Sequence, residues 1–225
     1  MPDIIEKPII KHTLAKIALA VAGIVSVVYL FQKFWFLRSP QRNIPHNDNL
    51  FVSPANGKVI SIKKYNEESF LEVKDAPLTE QGAIKILTSD VAPSGTVITI
   101  MLQVTDVHYQ FAPTSGIVVS TKYTVGNKDN AILMPAGQSS RFENEHNEIL
   151  LKTQGGLKYK VVQIAGFVAR QIECYVVPNQ FVAQGQRLGI INFGSQVTVI
   201  LPDAVSVTAK IGDYLIDGES VIGKI

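Results

Sequence analysis

Apolar residues are distributed along this chain in two unlike ways. Residues 17–32 (IALAVAGIVSVVYLFQ) run without a single charge, bracketed by Lys16 and Lys33 and prolonged by Phe34, Trp35, Phe36 and Leu37. The stretch 14–37 therefore predicts a helix long enough for a hydrocarbon core of about 30 Å. The flanking lysines can snorkel, and Tyr29 and Trp35 suit the interface. The small-residue triplets Ala18-Leu19-Ala20 and Ala20-Val21-Ala22 open the run, whereas a signal-peptide cleavage site follows one. An anchor or membrane-lying helix is the reading adopted, with a buried core helix as its competitor. Lys7, Lys11 and Lys16 before the run balance Lys33, Arg38 and Arg42 after it, so charge sets no orientation.

Residues 38–49 are polar and punctuated by Pro40 and Pro45, as in a linker. From Leu50 the pattern becomes short β-branched runs separated by Gly, Pro, Asn and Asp: 58–63, 96–104, 116–123, 148–152, 157–165, 171–177, 196–201 and 206–210. Strands of this length and spacing predict a compact sheet, sandwich or barrel rather than βαβ units. Residues 161–172 also fit a strand followed by a short helix. The plan is a tail (1–13), a membrane helix (14–37), a linker (38–49) and one mainly β domain of α+β type (50–225).

Composition narrows the function. The 225 residues carry 21 Lys+Arg against 19 Asp+Glu, a net charge of +2, with no basic stripe of the kind phosphate backbones require; a nucleic-acid partner is not expected. The single cysteine, Cys174, forms no internal disulfide and no Cys-rich zinc site, and no metal is expected. With the helix set aside, about 180 residues remain, the size of one domain.

Three segments carry candidate chemistry, and each has an ordinary reading. Asn56-Gly57 before a β-branched run is a hairpin-turn signal. His108 closes an apolar strand, where a lone histidine is commonly structural. Gly194-Ser195 lies between β-branched runs, as many turns do.

Taken together and in order, they resemble the phosphatidylserine decarboxylases, especially the short prokaryotic branch. The string 161–202 (VVQIAGFVARQIECYVVPNQFVAQGQRLGIINFGSQVTVILP) has the Ile-Ala-Gly and Ala-Arg segment, the Gly-x-Arg-x-Gly turn and the Phe-Gly-Ser before a strand ending in Leu-Pro. The resemblance runs back through Asn144-Glu145, the His108 segment, residues 53–59 and residues 34–45. It implies a proenzyme that cuts itself between Gly194 and Ser195, leaving a short chain of 31 residues, 195–225. Ser195 would become a covalent pyruvoyl group, the only cofactor implied, an electron sink for decarboxylating phosphatidylserine to phosphatidylethanolamine in phospholipid biosynthesis. His108 would be the general base for self-cleavage and a proton donor after CO₂ leaves. Gln163 and Arg170 are candidate substrate contacts. The partners implied are a phospholipid, the cell or inner membrane and the paired cleavage products, with a homo-oligomer left open.

Two positions depart from the family pattern. Asn56 stands where the family has the aspartate that orients its histidine; an amide there is worth about 10⁴ in rate in the serine-protease case. Asp106 is a substitute if it shares a strand face with His108. Deamidation of Asn56-Gly57 is a second route, and slow or absent maturation a third outcome. Phe111 stands where arginine is usual, which bears on head-group or phosphate contacts. The competing functions are a non-catalytic membrane-tethered adaptor, suggested by a membrane helix followed by a glycine-punctuated β domain whose segment 212–223 resembles a lipoyl-type half-barrel strand, and a family member acting on another substrate such as archaetidylserine.

Overall fold

A computed structural model describes residues 6–66, 87–126, 145–166, 171–192 and 195–225. Two compact units are present, residues 1–38 and 39–225. In the first, helix α1 (Glu6–Leu30) continues into a π-helical segment (Phe31–Phe36). The stretch His12–Phe36 is long and apolar enough to cross a membrane. Leu19, Ile24, Val25 and Val27 along it are all exposed, which is the opposite of what a core helix shows.

Among the described residues, the regular elements of the second unit are strands: β1 (Leu50–Val52), β2 (Gly57–Asn66), β3 (Ser94–Leu102), β4 (Tyr109–Phe111), β5 (Gly116–Thr124), β6 (His146–Lys152), β7 (Lys158–Ala165), β8 (Ile172–Cys174), β9 (Phe181–Val182), β10 (Arg187–Ile191), β11 (Ser195–Pro202), β12 (Ser206–Val207), β13 (Tyr214–Leu215) and β14 (Val221–Lys224). Eight form one antiparallel sheet in the order β13-β2-β3-β11-β7-β6-β5-β9. Two three-stranded sheets, β1-β14-β12 and β4-β10-β8, accompany it among the described residues. The mainly β class read from the sequence is the class observed.

The large sheet is covered on both faces. Ile98, Ile100, Ile149 and Leu151 join Phe51, Val182 and Leu188 in the main core, while Val97, Leu150, Val162 and Ile200 meet Tyr65, Leu87 and Val91 in a second. This explains the near-continuous apolar run of β11, whose two faces are both buried. The second face also holds a fully buried cation, Lys160, whose Nζ is 2.6 Å from Glu148 and 2.7 Å from Asp90.

The long strands follow the hydrophobic pattern closely, and the departures are local. The strand expected over 171–177 is only Ile172–Cys174, and that over 206–210 only Ser206–Val207. Of the helix alternative over 161–172, β7 occupies residues through Ala165, Ile172 is in a strand, and residues 167–170 lie outside the described residues. Asn56-Gly57 does not turn a hairpin. It links β1, paired with β14, to β2, paired with β3 and β13, and so crosses between sheets. Gly57 has φ +149°, and a Cβ there would lie 2.3 Å from the carbonyl oxygen of Met101, so this crossing admits only glycine.

Candidate active site

Ser195 opens β11, the strand at the centre of the large sheet. In register it faces Leu102 at the end of β3 and Ala165 at the end of β7, both buried. Two chain paths lead from this point to His108. From Leu102, a turn closed by Asp106 N–H on Gln103 O (2.9 Å) delivers the chain to His108. From the other side, Ile191 at the end of β10, four residues before Ser195, donates its N–H to the His108 carbonyl (3.2 Å). Gly194 lies outside the described residues, as does Arg170.

The His108 side chain is fully buried. Its Nδ1 is 2.9 Å from the backbone oxygen of Asp106. A carbonyl only accepts, so Nδ1 carries the proton and Nε2 is the basic nitrogen of the neutral ring. Asp106 thus meets the His108 ring through its main-chain oxygen. Its carboxylate, expected from strand alternation to share a face with His108, instead accepts from the Tyr214 hydroxyl and from Gln103 N–H (2.7 Å). The physical reason is the turn at residues 103–106, which breaks the period of two on which the expectation rested.

A line of buried amides reaches the backbone carbonyl of His108. Gln110 Nε2 donates to the His108 carbonyl (2.7 Å), Gln163 Nε2 donates to Gln110 Oε1 (2.7 Å), and Asn147 Nδ2 donates to Gln163 Oε1 (2.8 Å). Gln163, read from the sequence as a substrate contact, has no exposed surface, and both ends of its amide are engaged within the protein. Space for it comes from Gly189 on β10, where a Cβ would lie 2.7 Å from Gln163 Nε2 and 2.2 Å from the Glu173 carbonyl oxygen.

Asn56 belongs to a different cluster. Its Oδ1 accepts from Asp217 N–H (2.8 Å) and from the Arg42 guanidinium (3.3 Å), and Arg42 is ion-paired with the Asp217 carboxylate. Asp217 is fully buried; burial raises its pKa, and the Arg42 charge opposes the rise. Phe111 is buried, donates its N–H to Pro54 O (2.9 Å) and pairs in register with Arg187. Arg187 is an exposed cation stacked 4.3 Å over the Tyr109 ring, so a positive charge lies across the strand pair from the position where the family pattern has arginine.

Sequence reasoning singled out Gly194, Ser195, His108, Asn56, Asp106, Gln163, Arg170 and Phe111 but not Gln110 and Asn147, which join Gln163 in the line that ends on His108, nor Arg42 and Asp217, which surround Asn56. The available signal was polarity at strand positions that the fold turns inward, Gln110 within HYQF and Asn147 within EHNEILL.

Residues 31–223 match the family model described as phosphatidylserine decarboxylase. The chain is 34% identical to the phosphatidylserine decarboxylase proenzyme of Desulfotalea psychrophila over 191 residues, covering 85% of this chain and 78% of that one. It is 36% identical to the proenzyme of that name from Geotalea uraniireducens (90% and 83% covered) and 33% identical to that from Syntrophus aciditrophicus (84% and 78%). The fold and site thus lie in a family of carbon-carbon lyases made as proenzymes. The chain belongs to the phosphatidylserine decarboxylase family.

Proposed function

We propose that this protein is a membrane-anchored phosphatidylserine decarboxylase that cuts itself at Gly194-Ser195 and carries its cofactor at position 195. The observation that carries the proposal is the state of His108, buried with Nδ1 held by a backbone carbonyl so that Nε2 is the proton acceptor. In the cleavage, Ser195 Oγ attacks the Gly194 carbonyl carbon while its proton passes to His108 Nε2 and from there to the Ser195 nitrogen as the Gly194 C–N bond breaks, so that the peptide becomes an ester with a free amine. Loss of the Ser195 Cα proton expels Gly194 as a carboxylate. The dehydroalanine left at position 195 takes up water and releases ammonia, giving a pyruvoyl group.

That group supplies a ketone able to take up the electron pair left by departing CO₂. The register neighbours of position 195, Leu102 and Ala165, fit it, because an apolar surrounding solvates a substrate carboxylate poorly and favours its loss as neutral CO₂. His108 would return a proton to the product. Arg187 is an exposed cation available to a phosphate. The short chain 195–225 would remain bound after the cut, since β11 pairs with β3 and β7, β13 with β2, and β14 with β1. The apolar helix at the N-terminus would hold the enzyme in the bilayer where its substrate resides.

Expression in a host lacking its own decarboxylase, followed by lipid extraction, tests the assignment. Phosphatidylserine should fall and phosphatidylethanolamine rise with the wild-type chain and not with Ser195→Ala. A cleaved chain with unchanged lipids would reject the phospholipid substrate.

A further inference from the structure

We infer that the three buried amides of Asn147, Gln163 and Gln110 are the positioning system of His108, fixing the ring state that a carboxylate partner would otherwise fix. The inference rests on the reading of His108 as the base given above. All four residues are buried, three of them completely, and every bond in the line is 2.7–2.8 Å long. The bonds also share a direction. Each amide gives its N–H toward the histidine, and Gln110 and Gln163 each receive on the oxygen from the amide behind, so the dipoles add and each bond polarises the next. The line crosses the core from β6 and β7 in the large sheet to β4 in a three-stranded one, and it ends on the carbonyl of His108 itself.

The consequence for the ring follows from where the other bond falls. His108 Nδ1–H donates to the Asp106 carbonyl two residues back, a geometry that survives only if the backbone of 106–108 keeps its shape. Gln110 and Ile191 both hold the His108 carbonyl, one from a side chain and one from the adjacent strand. With Gln110 removed, the peptide after His108 loses one of two restraints. The Nδ1 bond then loosens, and the tautomer protonated on Nε2, which cannot accept the serine proton, becomes populated. These are positioning residues; Gln110, Gln163 and Asn147 act through His108.

The test uses the full chain in detergent. Gln110→Met removes both bonds at nearly constant volume. We expect self-cleavage to slow roughly 10–100-fold, the scale of one or two lost buried hydrogen bonds. The Gln110→Met/Gln163→Met double variant should be no slower than the slower single one, because the line works as a unit. Nitrogen NMR with labelled histidine, of which the chain has four, reads the ring directly. The wild type should show Nδ1 protonated, and Gln110→Met a mixture of tautomers. Tyr159→Phe is the control for a purely structural loss. Tyr159 lies on β7 at the end remote from Ala165; the substitution deletes its buried hydrogen bond to Thr114 O (2.6 Å) and should lower the melting temperature without changing the cleavage rate.

A Gln110→Met rate within twofold of wild type with an unchanged tautomer would overturn the inference. So would slowing that Tyr159→Phe reproduces at an equal loss of melting temperature. Asn147→Ala, which breaks the outermost bond alone, carries the same test if Gln110→Met does not fold. If the wild type itself stays uncut, the self-cleavage reading fails, and the tautomer of His108 in the uncut variants decides the inference alone.

Discussion

The ion pair between Arg42 and Asp217 joins the start of the β unit to the segment that follows the cleavage point, and its two partners should differ sharply when removed one at a time. Asp217 has no exposed side-chain surface, whereas Arg42 retains 15%. Arg42→Met strands a carboxylate where water cannot reach it, a loss of about 3–5 kcal/mol at neutral pH. Asp217→Asn leaves a cation that can turn toward solvent, and should cost only about 1–2 kcal/mol. The Arg42→Met loss translates into roughly 6–20 °C of melting temperature for a domain of this size. The pH dependence follows from the direction of the Asp217 shift. Burial lifts its pKa above the ordinary 3.8, and Arg42 pulls it back, so removing Arg42 lifts it further. Between the ordinary value and the raised one, the folded chain keeps a proton that the unfolded chain has lost. Stability therefore falls as pH rises through that window and is recovered below it. Thermal melting of the full chain, held uncut by Ser195→Ala, should show Arg42→Met far less destabilised near pH 4–5 than near pH 8. Equal losses for Arg42→Met and Asp217→Asn, or an Arg42→Met loss that ignores pH, would refute the reasoning.

Two further substitutions probe the neighbouring packing. Gly189→Ala forces a Cβ to within 2.2 Å of the Glu173 carbonyl oxygen and 2.7 Å of Gln163 Nε2. It should cost about 1–3 kcal/mol and slow self-cleavage, and a variant with wild-type melting and cleavage half-time would contradict the packing described. Asn56→Asp keeps an acceptor for Asp217 N–H and Arg42 but sets a second carboxylate beside Asp217. Its melting temperature should drop as pH rises from 5 to 8, where two like charges share one guanidinium; a curve parallel to wild type would count against it.

The membrane-length helix and the long strands were legible because each sustains its pattern: an uncharged run in one case, and β-branched stretches bounded by turn residues in the other. Strands β1, β4, β9, β10, β13 and β14 span two to five residues, too few for a period to register, and are defined by the neighbours they pair with. In the site, Ser195 and His108 were marked by motif order. What the motif did not reveal is how the histidine is held. Asn147, Gln163 and Gln110 come from three strands, and only the folded sheets bring their amides into line. Gln163 was visible as an anomaly in an apolar strand, yet polarity alone does not say whether such a side chain faces substrate or another amide. Arg42 looked like one of several linker cations and Asp217 like a turn residue. Their pairing depends on the C-terminal segment returning to β1 and β2.

The central claim is that this chain makes its own cofactor at Ser195, and intact-mass measurement of the purified full-length protein tests it most directly. The account predicts two polypeptides in equal amount, one ending at Gly194 and one of 31 residues beginning at position 195 with an N-terminus closed to sequencing, and a single uncut chain for Ser195→Ala. A single uncut chain of 225 residues in the wild type as well as in Ser195→Ala would contradict it.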